Sequence, residues 1–264
     1  MIKRFYKAKN VFISLNPEYH ALRILKQNGG GFPEKIKVTS DGIEYRFVYE
    51  HYNEMDMYMM YTKRDKIHCV MILIDVKEKN AVIEGLSGDY PHCPNGSKLL
   101  KASIKFLKEN KDKFGIKRIV LKDNSMKACF GKNIIFGDMY TLLYGTTWYT
   151  SHGFLPYNQD TSGIDKNLMK IADKNKKIVK NTLVSDVKNL KKYIDKYAPR
   201  SNFDADKLNE KIDALKKTKL SDFLKWLLRK YDKYTCTLFY NIYEKLMVDL
   251  GIQSLHARSF YMKL

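Results

Sequence analysis

A few residues in this chain have the types and spacing that chemistry needs. The turn Pro94-Asn95-Gly96-Ser97 precedes an apolar-periodic stretch. A glycine-bordered turn that opens a helix offers unpaired backbone N–H groups and the positive end of the helix dipole, and both suit a phosphate group. Tyr149 stands next to Trp148 and reads as a buried helix tyrosine packing beside it. Glu84, in the β-rich run NAVIEGL, reads as an acid on the solvent face of a strand. His92 and Cys93 together suggest a thiol nucleophile. Adjacent residues of an extended segment point opposite ways, however, and no third group is at hand to orient them. The other histidines (20, 51, 68, 152 and 256) have no metal-ligand spacing. Asn95-Gly96-Ser97 also has the form of a glycosylation acceptor, a reading that requires secretion.

Around these residues lies a basic chain of 264 residues with a formal charge of +19 and 44% hydrophobic residues. That content is enough for a substantial core and excludes a tail-like disordered protein. The charge favours anionic partners such as nucleic acid, a phosphate-rich cofactor or acidic protein surfaces. Residues 165–249 hold 21 Lys/Arg against 12 Asp/Glu, about half of the excess. No run of eighteen apolar residues occurs, so no membrane span is expected. The apolar run at Val11–Leu15 is too short for a signal peptide. Cys69, Cys93, Cys129 and Cys236 are scattered without CxxC spacing, so reduced thiols and a cytoplasmic location are expected. The Lys-, Asn-, Ile- and Tyr-rich usage is of the kind that an AT-rich genome produces, and it resembles that of large cytoplasmic DNA viruses.

The elements that must position these residues follow from punctuation and period. Asn16-Pro17-Glu18 starts a helix that stops at Gly29-Gly30-Gly31. KIKVTS and IEYRFVYEHY flank Asp41-Gly42, a strong hairpin signal. MDMYMMYTK, IHCVMILIDV and NAVIEGLSG are three further strands. Residues 97–107 form a helix with apolar positions 99, 100, 104, 106 and 107, and IKRIVL (116–121) is a buried strand. Asp138 caps a helix running through MYTLLYGTTWYTS to Gly153. Beyond Pro156 three capped, Lys-rich helical stretches follow: VSDVKNLKKYIDKY, DADKLNEKIDALKK and the long segment 220–250. KKIVKNTLV (176–184) and HARSFYMKL (256–264) read as strands. The expected organisation is an α/β domain over 1–184, completed by a strand within 255–264, with a basic helical insertion at 185–252. Trp226 is read as core of that insertion, and an aromatic-basic nucleic-acid surface is the alternative.

The order helix, hairpin, three antiparallel strands, strand-turn-helix, strand, helix resembles that of the GNAT-type N-acyltransferases. The specific likeness lies in 79–155. NAVIEGLSGDYPHCPNGSKLLKASIKFLKE is similar to that family's fourth strand, phosphate-binding turn and following helix. IKRIVLKDNS is similar to its fifth strand and Asn, and WYTSHGF to its Tyr-x-x-x-Gly-Phe ending. Pro91 and Pro94 stand where the family has Gln/Arg and the first glycine of its turn. The resemblance implies an α+β fold: a mixed, mostly antiparallel twisted sheet flanked by helices, here with a helical C-terminal insertion. It implies acetyl-CoA as donor, held by Leu86, Gly88, Asn95, Gly96, Ser97, Lys98 and Asn124. It also implies transfer to a primary amine by direct attack, with Tyr149 as acid and Glu84 as base. The alternative is a catalytically degenerate fold of this kind that binds nucleic acid or serves as a virion structural or interaction protein.

Overall fold

The computed structural model describes residues 34–52, 55–61, 68–87, 93–129, 131–229 and 232–264. The expected first helix at 16–28 lies outside them, as do Gly88, Pro91 and His92. The chain divides into two compact units, residues 1–122 with 259–264 and residues 123–258.

The first unit begins as an antiparallel meander of β1 (Lys35–Ser40), β2 (Ile43–Tyr52), β3 (Met55–Tyr61), β4 (His68–Asp75) and β5 (Asn80–Leu86). At the expected hairpin Ser40 pairs with Ile43, and both Asp41 and Gly42 have positive φ (50° and 74°). Two left-handed residues give the turn whose twist matches that of its strands. The chain then crosses through α1 (Gly96–Glu109) and the short α2 (Lys111–Phe114) to β6 (Arg118–Lys122), which runs parallel to β5. Parallel neighbours require such a crossover.

Packing follows the two periods. Helix α1 buries Leu99, Leu100, Ala102, Ser103, Phe106 and Leu107 on one face. Phe106 stacks on Phe47 of β2 at 4.2 Å between ring centroids, with Tyr58 edge-on at 5.0 Å and Phe114 at 5.5 Å. Met57 and Met59, the alternate residues to Tyr58, form a separate cluster with Met71. The opposite orientation of successive strand side chains separates the two groups.

The second unit opens with a hairpin, β7 (Met126–Cys129) and β8 (Lys132–Ile135), where the sequence shows only extra residues after Asn124. It continues through α3 (Phe136–Tyr144), α4 (Trp148–Ser151), a hairpin of β9 (Leu155–Asn158) and β10 (Gly163–Ile164), and then helices α5 (Lys166–Asn181), α6 (Leu190–Tyr197), α7 (Ala205–Ala214), α8 (Leu220–Leu227) and α9 (Lys233–Leu250). The last strand, β11 (Ser259–Lys263), returns to the first unit and pairs antiparallel with β6, as expected for the chain's end.

Several sequence expectations change here. Residues 176–181 are the end of helix α5 rather than a strand. Asp165 caps that helix by accepting from the amides of Asn167 and Leu168, and Asn175 and Val179 are buried one turn apart. Asn175 exchanges two hydrogen bonds with the backbone of Gln253, at 2.8 and 3.1 Å, which fixes the helical face. These anchors outweigh the short β-branched run. The stretch 138–153 is two helices, because Gly145 at φ 73° ends α3 in a left-handed cap. Similarly, 220–250 divides at Asp232, whose side chain caps α9. The 185–252 helices do not stand apart: Cys129, Ile134, Met139, Leu142 and Leu143 share one core with Leu208, Phe223, Phe239 and Leu246. Trp226 is 39% exposed and carries the Lys211 ammonium over its ring at 5.4 Å, so it is not a core residue.

The cysteine expectation also fails. Cys69 is bonded to Cys93 and Cys129 to Cys236, with Cα atoms 5.6 and 5.7 Å apart. Pairs separated by 24 and 107 residues meet only once the fold exists, so spacing carries no sign of them. Disulfides are uncommon in reducing compartments, and the argument for a cytoplasmic location from free thiols loses its basis. Among the described residues no helix is long and apolar enough to cross a membrane.

Candidate functional site

In the first unit the chemistry gathers where β5 ends. The parallel pairing of β5 and β6 runs from Asn80 with Arg118 to Ile83 with Leu121, and no further. On the other edge Ile83 pairs with Ile72 of β4 and Gly85 with Met71, so Glu84 is an extra residue with no partner in either register. A bulge of this kind bends the strand and re-aims its backbone groups. The Glu84 side chain is exposed, yet partial burial raises its carboxyl above the ordinary carboxylate range. Leu86 pairs with Val70, and the following residue, Ser87, donates its amide to the carbonyl of Cys69.

Cys93 is tied to the start of β4 through Cys69. Asn95 then caps α1: its side-chain oxygen accepts the Lys98 amide at 3.0 Å. The first intrahelical bond runs from Leu99 N–H to the Asn95 carbonyl. The amides of Gly96 and Ser97 precede it, and no acidic residue occupies the first turn. Lys98 is exposed beside them. Helix dipole, two leading amides and a lysine together make this helix start favourable to an anion.

The second unit holds the other candidates. Asn124 is exposed, whereas its neighbour Asp123 is fully buried. Asp123 Oδ1 accepts from both the amide and the hydroxyl of Ser125, the amide at 3.2 Å. Its backbone exchanges hydrogen bonds with Ala257 and Arg258. Asp138, expected as a helix cap, is instead buried and accepts from the Ser254 hydroxyl at 2.6 Å. Ser254 Oγ in turn accepts from the His256 amide at 3.1 Å. Asp123 Oδ2 and His256 Nδ1 are buried with no hydrogen-bond partner among the described residues. Gly137 makes room for the carboxylate: a Cβ there would lie 2.7 Å from Asp123 Oδ2.

Burial raises both carboxyls above their ordinary range, and the serine hydrogen bonds and the nearby His256 only partly offset it. Tyr149 is buried in the same unit, packed beside Trp148 at 4.9 Å and Phe154 at 6.2 Å between ring centroids. Burial, and secondarily the charge of Asp123, push its phenol well above the ordinary tyrosine range. It therefore stays protonated, the state an acid needs. The spacing of two between the buried Leu121 and Asp123 was the available signal for the inward carboxylate. Sequence reasoning followed Asn124 instead.

The raised Asp123 pKa has a consequence for stability. The folded state holds this proton more tightly than the unfolded chain, whose ordinary value is about 3.8. Stability is thus fully present below that value and is lost as pH rises through the raised folded pKa. Asp123→Asn removes the buried charge and is expected to stabilise the protein by about 1–2 kcal/mol at neutral pH, with little change in acid. Melting temperatures of both forms at pH 4 and pH 7 check this. An asparagine variant that melts lower at pH 7 contradicts it.

The structure thus brings Glu84, Leu86, Asn95, Gly96, Ser97 and Lys98 into the first unit, and Asn124 and Tyr149 into the second. Gly88 lies outside the described residues. No family model, curated protein or solved structure matches the chain.

Proposed function

We propose that the chain is a GNAT-like N-acyltransferase that moves an acetyl group from acetyl-CoA to a primary amine. The observation that carries this reading is the parallel pair of β5 and β6 in the first unit. Its pairing stops at Ile83 and Leu121, β5 bulges at that point, and the crossover helix opens at Gly96. Strand ends that stop pairing leave backbone groups for an extended ligand, and the helix start supplies anion donors.

The residues present fit such a donor. The amides of Gly96 and Ser97, with the Lys98 ammonium, suit a pyrophosphate; Pro94 lacks an N–H and withholds one donor from the turn. Residues 84–86 of β5 suit the amides of a pantetheine arm, and a backbone N–H there would polarise a thioester carbonyl. Acetyl-CoA itself supplies the activated thioester. Glu84, with its raised pKa, would take the proton of the attacking amine, directly or through water. The N–acyl bond forms as the S–acyl bond breaks, and the departing thiolate takes up a proton, the role that the likeness to the family gives to Tyr149. No covalent enzyme intermediate is needed.

Calorimetric titration with acetyl-CoA tests the reading. Binding in the micromolar range is expected, weakened about ten-fold or more, or 1.4 kcal/mol, in a folded Gly96→Leu variant. No binding at millimolar acetyl-CoA overturns it. Pro94 favours a second reading, in which the fold is kept but transfer is lost and the basic surface binds nucleic acid. That reading predicts oligonucleotide binding with a steep salt dependence and no heat with acetyl-CoA.

A further inference from the structure

In the second unit the outer face of helix α6 gathers positive charge around one tyrosine. The helix turns Leu190, Ile194 and Ala198, four residues apart, into the core of that unit. The same period leaves Lys192, Lys196 and Arg200 outside, all exposed, with Arg200 in the 3₁₀ turn Pro199–Ser201 that follows. Tyr193 and Tyr197 lie on the flank of the helix, half-buried against the core. Helix α9 packs against α6 and brings Lys245 to the same flank.

Three cations converge on Tyr197. The ammonium groups of Lys245 and Lys196 lie 5.2 and 5.4 Å from its ring centroid, and the guanidinium carbon of Arg200 lies 5.9 Å from it. A ring attracts cations to its face, yet it cancels none of their charge. The phenol senses them: desolvation raises its pKa, and the hydrogen bond and charge of Lys245, with the charge of Lys196, bring it below the ordinary tyrosine value. The carboxylates of the two helices are engaged elsewhere. Asp249 accepts from Tyr193 and Asn189 at 2.8 and 3.1 Å, Asp195 from Asn209 at 2.6 Å and Glu244 from Tyr243 at 3.0 Å. Lys191 pairs with Asp213, whereas Lys192, Lys196, Arg200 and Lys245 take part in none of the ion pairs found among the described residues. Like charges held this close repel one another, and a bound polyanion relieves that repulsion. A guanidinium fork and ammonium groups in a row are donors that successive phosphate oxygens take. A nucleic-acid backbone carries such a charge at every residue and gains further from the counterions it releases.

We propose that the flank of α6 and α9 around Tyr197 is a contact surface for the phosphate backbone of a nucleic acid. The inference rests on the second reading for the class of partner, to which it gives a place, and it stands whether or not acetyl transfer is kept.

The test is the fluorescence anisotropy of a labelled single-stranded oligothymidylate titrated with the full chain. It is repeated with Lys196→Glu, Arg200→Glu and, as a control of equal charge change in the same unit, Lys174→Glu on α5. Wild-type protein is expected to bind, and each flank variant to bind about ten-fold more weakly with a salt slope smaller by about one. The control should stay within about two-fold of wild type, because exposed charges outside the contact are screened by salt. All three substituted residues are exposed, so melting temperatures should not change. Wild-type binding in both flank variants, or an equal loss in the control, overturns the proposal and leaves the second reading standing. No binding by the wild-type chain overturns both. Displacement of the oligonucleotide by polyglutamate of the same charge assigns the flank to an acidic protein, and this also overturns the proposal.

Discussion

Phe106→Ala is expected to destabilise the first unit by about 3–5 kcal/mol, among the largest effects of any single truncation in it. The side chain is fully buried and is the centre of four rings: Phe47, Tyr58 and Phe114 all lie within 5.5 Å of it between centroids. Removing it takes away the apolar area and leaves a cavity whose walls belong to β2, β3 and α2, elements that the sheet and the α1–α2 corner hold apart. Such a site collapses poorly, which puts the cost at the upper end of the range. Chemical denaturation measures it. Lys108→Ala, two residues away on the exposed face, is the control and should change stability by no more than about 0.5 kcal/mol. The same ring also sets the height of α1 above the sheet and so the place of its first amides. A milder Phe106→Leu variant that remains folded is therefore expected to bind acetyl-CoA more weakly than wild type, although it touches no ligand. If Phe106→Ala costs no more than the lysine control, the aromatic cluster is not what seats α1.

The sheet of the first unit was legible in the sequence because each of its signals is local. Asp41-Gly42 specifies its own turn, the strands alternate, and α1 repeats apolar residues at helical spacing between Leu99 and Leu107. What could not be read depends on distant partners. The strand expected at 176–184 has suitable residues, but Asn175 finds Gln253 some eighty positions on, and that contact favours the helix. Cys129 and Cys236 pair across a similar distance. Asp138 has the sequence position of a cap, and only the return of Ser254 makes it a buried hydrogen-bond acceptor. The candidate site divides the same way. Asn95 and Gly96 announce a helix start by themselves. The bulge at Glu84 is a matter of register between two strands, and the Asp123 pocket needs Gly137 to leave out its Cβ. Trp226 shows the remaining gap: α8 has a strongly apolar face, and one position of offset decides whether an aromatic joins it or meets solvent under a lysine.

Tyr149→Phe is expected to lower kcat for acetyl transfer by about 10²–10⁴-fold while leaving the KM for acetyl-CoA close to its wild-type value. The reason is the environment already described. Tyr149 is buried, and burial with the nearby negative Asp123 holds its phenol protonated beyond the ordinary tyrosine range. A phenol of that kind stays protonated through the neutral range, and it holds its proton more tightly than an ordinary thiol does. The proposed mechanism needs Tyr149 protonated, so the alkaline limb of the pH–rate profile should lie above pH 10, the usual tyrosine value. That mechanism needs Glu84 ionised, and its raised pKa would place the acid limb above pH 4.5. Glu84→Gln should remove that limb and keep the alkaline one, and Tyr149→Phe should do the reverse. Phenylalanine keeps the ring against Trp148 and Phe154, so its melting temperature separates chemistry from packing. A phenylalanine variant with wild-type kcat and an unchanged profile makes Tyr149 a packing residue, and the proton for the leaving thiolate would then have to come from elsewhere.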